Sequence, residues 1–271
     1  MILITGATGF LGKELINRLY GSAPIRVVSR NEGKLIELKQ KYPNIEIVTG
    51  CISDRFIARL ACEGVDEIYH LAAFKHVGLA ESQPYQCTLS NTIGTINLVE
   101  EFKGSMFMAI STDKAAQVSG VYGATKLLME RIIKEFASIN KNIKYRVVRY
   151  GNVLYSTGSV LCKWKELIEN GEEVVVTNPD ATRFFWTVDQ AVDLIFDCLE
   201  NATDCEPYCP NMKSINLMDL LIAIHKKYGK GELKYKVIGL QIGENFRETM
   251  DGKIFSDQVE RFSIDEIIKM I

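Results

Sequence analysis

The first 150 residues alternate short apolar runs with segments in which apolar residues recur at helical spacing. The runs cover residues 1–5, 25–30, 45–50, 66–73 and 105–110. Short apolar runs rich in β-branched residues are typical of buried parallel strands, and the helices between such strands pack on both faces of the sheet. The pattern therefore predicts an α/β fold with a doubly wound parallel sheet of the Rossmann type.

The opening run leads directly into a glycine-rich turn. Gly6, Gly9 and Gly12 are spaced three residues apart, and apolar residues then recur at positions 11, 15, 16 and 19. A strand, a tight glycine turn and a helix form the phosphate-binding end of a dinucleotide fold, because glycine lets the backbone approach a pyrophosphate and the helix N-terminus offers free N–H groups. The alternative is an ordinary glycine-rich loop, but the flanking strand and helix favour a cofactor site.

The end of the second predicted strand indicates which dinucleotide binds. In NAD-binding folds an acidic residue at this place accepts hydrogen bonds from the ribose hydroxyls. This chain instead has Ser29, Arg30 and Lys34, with no carboxylate at the expected place. A hydroxyl, a guanidinium and an ammonium suit a 2′-phosphate, so the sequence predicts NADP(H). The alternative is that Arg30 and Lys34 are solvated loop charges.

Beyond residue 150 the alternation of strands and helices weakens, which is typical of a smaller second domain. Residues 188–199 predict a helix that returns to the sheet, and residues 214–228 predict another helix. We therefore expect an NADP-binding Rossmann domain and a small C-terminal substrate-binding domain. The first comprises residues 1–151 with 188–200 returning to it, and the second comprises 152–187 and 201–271.

Composition excludes several classes of partner. The 271 residues include 32 basic and 34 acidic ones, so the chain has no excess of positive charge that would favour binding to nucleic acid or to an anionic membrane. The seven cysteines are scattered and odd in number, and with the three histidines they form no metal-ligand spacing, so we expect reduced thiols and no metal. The chain opens without a signal-peptide pattern, and no apolar run is long enough to cross a bilayer. We therefore expect a cytoplasmic protein.

The segment 111-STDKAAQVSGVYGATK-126 carries four titratable side chains directly after the fifth apolar run. Tyr122 and Lys126 lie four residues apart and would share one face of a helix. A lysine ammonium beside a tyrosine lowers the pKa of the phenol, so that the phenolate can take a proton from an alcohol as its hydride leaves. A surface helix is the usual meaning of this spacing, but its position after a dinucleotide turn and at a strand end favours a proton-transfer site.

Several motifs in succession resemble the extended short-chain dehydrogenase/reductases. Within that group the chain resembles the soluble, C5-inverting UDP-N-acetylglucosamine 4,6-dehydratases that start pseudaminic acid synthesis. Membrane-bound, C5-retaining relatives tend to have methionine where this chain has Tyr122, so this residue indicates the inverting branch. The matching motifs are TGATGFLG (5–12), SRNEGK (29–34), AAFKHV (72–77), ESQP (81–84), NTIGT (91–95), STDKA (111–115), YGATK (122–126), RYGNV (149–153), GSV (158–160) and TRFFWT (182–187).

The resemblance implies a hydro-lyase that uses NADP and a UDP-sugar and that forms a homo-oligomer. Tyr122 with the cofactor would oxidise C4 of the sugar, which acidifies the C5 proton. Lys114 would remove that proton and Asp113 would assist the loss of the C6 hydroxyl, after which the hydride returns to C6. To act as a base, Lys114 must be partly buried or lie close to other cations.

The resemblance also assigns the remaining site residues. The catalytic set is Thr112, Asp113, Lys114, Tyr122 and Lys126. The cofactor-binding set is Gly6, Thr8, Gly9, Phe10, Leu11, Gly12, Ser29, Arg30, Lys34, Cys51, Ile52, Leu71, Ala72, Ala73, Lys75, Tyr122 and Lys126. The substrate-binding set is Lys75, Asn152, Val153, Thr157, Arg183 and Gln241.

Some positions depart from the family pattern. Thr157 and Gln241 stand where the family usually has arginines, Asn245 replaces a lysine, and Cys51 replaces an aspartate that contacts adenine. Fewer cations facing a diphosphate imply weaker or altered nucleotide-sugar binding, unless Arg247 or Lys163 substitutes. A 4-epimerase or reductase of the same fold and a non-catalytic NADP(H)-binding protein are the alternatives. The Asp113–Lys114 pair argues against the first, and the intact Tyr122 and Lys126 argue against the second.

Overall fold

Seven parallel strands form the main sheet in the computed structural model, which describes residues 1–156 and 158–271. The predicted substrate contact of Thr157 therefore lies outside the described residues. The order of strands in the sheet is β10-β6-β5-β4-β1-β2-β3. The strands are β1 Ile2–Thr5, β2 Ile25–Ser29, β3 Glu46–Thr49, β4 Glu67–His70, β5 Met106–Thr112, β6 Lys144–Tyr150, β7 Asn152–Val153, β8 Val174–Val176, β9 Thr182–Trp186, β10 Pro207–Tyr208, β11 Ser214–Asn216 and β12 Tyr235–Val237.

Helices cover both faces of this sheet, as the alternating pattern predicts. One face packs against α1, α2 and α9, and the other packs against α3, α6 and α7. The doubly wound Rossmann-type fold is thus confirmed. The helices are α1 Phe10–Leu19, α2 Glu32–Lys41, α3 Arg55–Cys62, α4 Val77–Ser82, α5 Pro84–Thr88, α6 Gly94–Glu101, α7 Val121–Ile139, α8 Val160–Glu169, α9 Val188–Asn201, α10 Leu217–Tyr228 and α11 Ile264–Met270, with a π turn at Leu89–Ile93 and a 3-10 turn at Asp113–Ala115.

The strand order reverses next to β1, which pairs with β2 on one side and with β4 on the other. The connections that leave β1 and β4 therefore run to opposite faces of the sheet, and a crevice opens outside the carboxyl ends of these strands. Ligands of doubly wound sheets bind in such a crevice. The glycine turn after β1 and the 3-10 turn after β5 both lie at this edge.

A separate hydrophobic core forms in the C-terminal part of the chain. It contains Leu161 and Trp164 of α8, Ile215 of β11 and Leu220 of α10, together with Ile267 of α11. Two small sheets accompany it, with the strand orders β11-β9-β7 and β12-β8. This core lies within the range predicted for the small C-terminal domain, whereas β10, in the same range, pairs with β6 at the edge of the main sheet.

The predicted helix over 214–228 is wrong at its first three residues. Ser214, Ile215 and Asn216 form β11, because they pair with β9 in antiparallel register. Helix α10 begins only at Leu217, where the Asn216 side chain accepts hydrogen bonds from the N–H groups of Met218 and Asp219. An asparagine cap of this kind satisfies free N–H groups of the first turn and fixes where the helix starts.

Candidate active site

A cavity of about 990 Å³ opens at the carboxyl ends of the parallel strands and reaches the C-terminal core. One end is formed by the glycine turn, Ser29 and Arg30, and the other by Lys114, Arg183 and Glu248. Within the described part of the chain, the predicted site residues that do not line the cavity are Lys34, Asp113 and Gln241. The sequence-predicted residues are thus largely brought together around one cavity.

The glycine turn has the close backbone packing that a dinucleotide site requires. Gly6 has a φ of +68°, and a Cβ at this position would lie 2.7 Å from the backbone nitrogen of Ala72. A Cβ at Gly12 would lie 2.5 Å from the carbonyl oxygen of Gly6. The N–H of Gly9 donates to that same carbonyl at 2.9 Å, and α1 begins at Phe10. The turn and helix N-terminus therefore fit a pyrophosphate, which accepts hydrogen bonds from free backbone N–H groups.

Beside the glycine turn, the cavity is lined by the polar groups predicted to bind a 2′-phosphate. The Ser29 and Thr8 hydroxyls are 3.0 Å apart, and the Arg30 side chain is exposed at the cavity mouth. Lys34 is exposed on α2. The Sγ of Cys51 lies 3.0 Å from the Ser53 hydroxyl, and Cys51 and the buried Ile52 also line the cavity.

Helix α7 supplies Tyr122 and Lys126 to the cavity wall, but their environments differ from the predicted one. Lys126 Nζ is buried and donates to the Ile110 carbonyl at 2.6 Å. Burial lowers the pKa of Lys126 to about 8, opposed by Glu130. Burial also raises the pKa of Tyr122 to about 12, and the cation that acts against this rise is Lys114. In the free protein the positive charge of Lys114 thus favours the phenolate.

Lys114 lies between two buried carboxyl groups. Its Nζ is 3.1 Å from Oδ1 of Asp113 and 2.9 Å from Oε1 of Glu248. Burial disfavours the ammonium, but Asp113 and Glu248 outweigh it and raise the pKa of Lys114 above its ordinary value. The Thr112 hydroxyl donates to Asp113 Oδ1 at 2.7 Å, which fixes the carboxyl on the 3-10 turn. The free protein therefore holds Lys114 as an ammonium, so a base at this position must first lose a proton.

The predicted substrate-binding residues differ from one another in their contacts and exposure. Arg183 donates from Nη1 to the carbonyls of Thr182 and Phe246, and its Nε is 3.3 Å from Glu248 Oε1. Asn152 donates to the Phe184 carbonyl at 3.2 Å. Lys75 lines the cavity together with Val153, and partial removal from water lowers the pKa of Lys75. Gln241 is exposed and donates to the Gly239 carbonyl at 3.0 Å.

Glu248 is a titratable residue of this site that the sequence did not indicate. Its side chain is 3% exposed, and it contacts Lys114 from 134 positions along the chain. Burial, followed by the nearby Asp113 carboxylate, raises the pKa of Glu248 to about 7. It lies outside the regular helices and strands, so hydrophobic periodicity carries no signal for it.

The described residues contain no cluster of three or more histidine, cysteine, aspartate or glutamate side chains that could hold a metal ion. Among the helices of residues 1–156 and 158–271, none has both the length and the apolar character that a bilayer crossing requires. His70 is buried between the hydroxyls of Thr5 and Thr95, which satisfies both of its ring nitrogens within the core.

Comparison with known proteins identifies the family. Residues 2–270 match the family described as polysaccharide biosynthesis protein. The chain belongs to this family. An inverting UDP-N-acetylglucosamine 4,6-dehydratase of Campylobacter jejuni is 34% identical to this chain, over 92% of the chain and 76% of the relative. An uncharacterized membrane protein of Methanocaldococcus jannaschii is 38% identical, over 92% and 79%. A UDP-glucose 4-epimerase of Rickettsia canadensis is 28% identical, over 92% and 76%.

Solved structures of related proteins have the same fold as this chain. Pen from Bacillus thuringiensis has a TM-score of 0.91 at 28% identity, covering 100% of this chain and 96% of the other. DesIV, a dTDP-glucose 4,6-dehydratase of Streptomyces venezuelae with NAD bound, has a TM-score of 0.83 at 18% identity, covering 99% and 95%, and so shares the fold. This family member is therefore an extended short-chain dehydrogenase/reductase that resembles the sugar-nucleotide dehydratases and epimerases.

Proposed function

We propose that the chain is an NADP-dependent 4,6-dehydratase that acts on UDP-N-acetylglucosamine and inverts C5. The observation that carries this proposal is the acid–base cluster of Asp113, Lys114 and Glu248, which lies beside the Tyr122 end of the cavity. A 4-epimerase needs proton transfer at the C4 hydroxyl alone. A dehydratase also needs a base at C5 and an acid at C6, and this cluster contains groups of both kinds.

Each residue of the cluster and the cavity wall has its own role in the proposed reaction. Tyr122 takes the proton of the C4 hydroxyl, and the positive charge of Lys114 favours its phenolate. The glycine turn, Ser29 and Arg30 would hold a nicotinamide dinucleotide, which would supply a hydride acceptor and donor for the sugar. Lys114 takes the C5 proton, and Asp113 assists the loss of the C6 hydroxyl. Arg183, Asn152 and Lys75 line the cavity and would contact the sugar nucleotide, with Arg183 expected to face the diphosphate.

The proposal is tested by incubating the purified protein with NADP⁺ and UDP-N-acetylglucosamine and recording NMR spectra of the product. We expect a 4-keto-6-deoxy sugar nucleotide with inverted C5, and solvent deuterium at C5 when the reaction runs in D₂O. Formation of the C4 epimer alone would instead assign the chain to the epimerases, which the Rickettsia relative makes the second candidate. The homo-oligomeric state, the cytoplasmic location and the domain boundaries remain predictions.

The cofactor preference makes a separate prediction. We expect the protein to bind NADP(H) more tightly than NAD(H), because Ser29 and Arg30 lie at the end of the cavity where a 2′-phosphate would be. Arg30→Ala should reduce this preference by about tenfold, the value of one charge-assisted hydrogen bond. Titration of both cofactors into the wild type, into Arg30→Ala and into the exposed control Arg59→Ala would measure it. Equal affinities in the wild type would refute the assignment.

A further inference from the structure

Three basic side chains line the cavity between the end of β4 and the start of α8. Lys75 and His76 follow β4, and Lys163 lies near the start of α8. Partial removal from water, followed by the positive charges of Lys75 and Lys163, lowers the pKa of His76, so the imidazole ring lies near both ammonium groups. These three residues, called the basic wall below, therefore form one cluster.

The positive charge of the basic wall is not balanced by a carboxylate of the residues that the structure describes. Neither of its lysines forms an ion pair there. Two glutamates line the cavity, but Glu248 is paired with Lys114 and Arg183. The other, Glu244, accepts a backbone hydrogen bond at 3.2 Å within its own loop. Uncompensated positive charge in a cavity wall attracts an anionic ligand.

The helix that carries Lys163 adds to this attraction. Helix α8 begins at Val160 and has ten residues, and its cap residue Ser159 lines the cavity together with Val160. The positive end of the helix dipole and the N–H groups of the first turn therefore lie at the same wall. Building on the proposed function, we propose that Lys163 binds the diphosphate of the sugar nucleotide and supplies the charge that the missing family arginines would provide.

The basic wall is built from a different part of the molecule than the glycine turn, which fits the pyrophosphate of the cofactor. Leu161 and Trp164, which flank Lys163 on α8, are buried in the C-terminal core. The glycine turn instead leads into α1, whose residues Leu15 and Ile16 pack in a core of the main sheet. One cavity thus has two places that suit a diphosphate, one for the cofactor and one for the substrate.

Other cations of the region are less available than Lys163. Arg247 Nη1 is 3.1 Å from Asp257 Oδ2, and Arg247 is absent from the lining formed by the described residues. Arg183 lines the cavity, but its Nε is 3.3 Å from Glu248 Oε1, which offsets part of its charge. Of the two substitutes that the sequence suggested, the structure therefore favours Lys163 over Arg247.

The test measures the affinity of the purified protein for UDP and for uridine, which lacks phosphate, by calorimetric titration. Lys163→Gln should weaken UDP binding by about tenfold, the value of one charge-assisted hydrogen bond, and leave uridine binding unchanged. Lys163→Arg keeps the charge and should keep most of the UDP affinity. In about 1 M salt, where the screening length is about 3 Å, the difference between the wild type and Lys163→Gln should shrink because the side chain is exposed.

Lys165→Gln is the matched control on the same helix. Lys165 Nζ lies 3.8 Å from Glu169 and 4.2 Å from the centre of the Tyr228 ring, and the variant should bind UDP as the wild type does. Unchanged UDP binding in Lys163→Gln, or an equal loss for UDP and uridine, would overturn the proposal. Loss of NADP(H) binding in Lys163→Gln with intact UDP binding would also overturn it, since Lys163 would then face the cofactor.

Turnover separates this inference from the proposed function. With NADP⁺ and UDP-N-acetylglucosamine, Lys163→Gln should raise KM by about tenfold and leave kcat unchanged, because Lys163 carries no step of the elimination. A wild type that binds UDP through Lys163 but forms no dehydrated product would refute the proposed reaction and support this binding site. A Lys163→Gln variant that dehydrates with the KM of the wild type would overturn only the role of Lys163.

Discussion

Tyr122→Phe is expected to abolish turnover while leaving cofactor binding nearly unchanged. The variant loses only the phenolic hydroxyl, which takes the C4 proton, and a general base of this kind typically contributes about 10²–10⁴-fold. The ring itself keeps its half-buried place in the cavity wall on α7. Product formation followed by NMR measures the rate, and titration of NADP(H) measures binding. Tyr85→Phe, which changes a tyrosine that is 71% exposed, is the matched control.

A variant that keeps close to the full rate would assign the C4 proton to another group. Simultaneous loss of NADP(H) binding would indicate that the hydroxyl stabilises the cavity rather than transferring a proton. Burial raises the pKa of Tyr122 to about 12, so the phenol does not ionise readily by itself. The phenolate therefore depends on nearby positive charge, and a change that removes only the hydroxyl tests the proton chemistry directly.

Much of the fold could be predicted because its signals are local. Each strand of the Rossmann half is a short apolar run, and the helices between the strands repeat apolar residues at helical spacing. The bounds of β5 were less predictable. Its predicted end at residue 110 moves to Thr112, because the polar Ser111 and Thr112 continue the pairing with Arg149 and Tyr150 of β6. The partner strand that makes this possible is distant in sequence, so the apolar pattern does not reveal it.

The site could be predicted where its residues are neighbours in sequence. The glycine turn and the Tyr122–Lys126 spacing each lie within one short segment, and both line the cavity. Glu248 could not be found in this way, since its role comes from contacts with Lys114 and Arg183 that form only on folding. The same contacts decide the protonation of Lys114 in the free protein. A base role required Lys114 to be partly buried or close to other cations; it is partly buried, but two carboxyl groups hold its proton.

Lys114→Arg and Lys114→Met are expected to stop the elimination and to abolish deuterium entry at C5. A guanidinium remains protonated in proteins and cannot take the C5 proton, and a thioether cannot take it either. Arginine keeps the positive charge that lowers the pKa of Tyr122, whereas methionine removes it. The first oxidation should therefore be slowed more in Lys114→Met than in Lys114→Arg, while both should lose about 10²–10⁴-fold of product formation.

These outcomes are measured in D₂O by NMR of C5, together with a single-turnover measurement of nicotinamide absorbance for the first oxidation. Lys230→Met, which changes an exposed lysine far along the chain, should leave every rate unchanged. Normal turnover with normal C5 exchange in either Lys114 variant would refute the dehydratase mechanism and favour an epimerase or a reductase. Loss of turnover with retained C5 exchange would instead place the C5 base elsewhere. In that case Lys114 would serve the reaction only as the cation between Asp113, Glu248 and Tyr122.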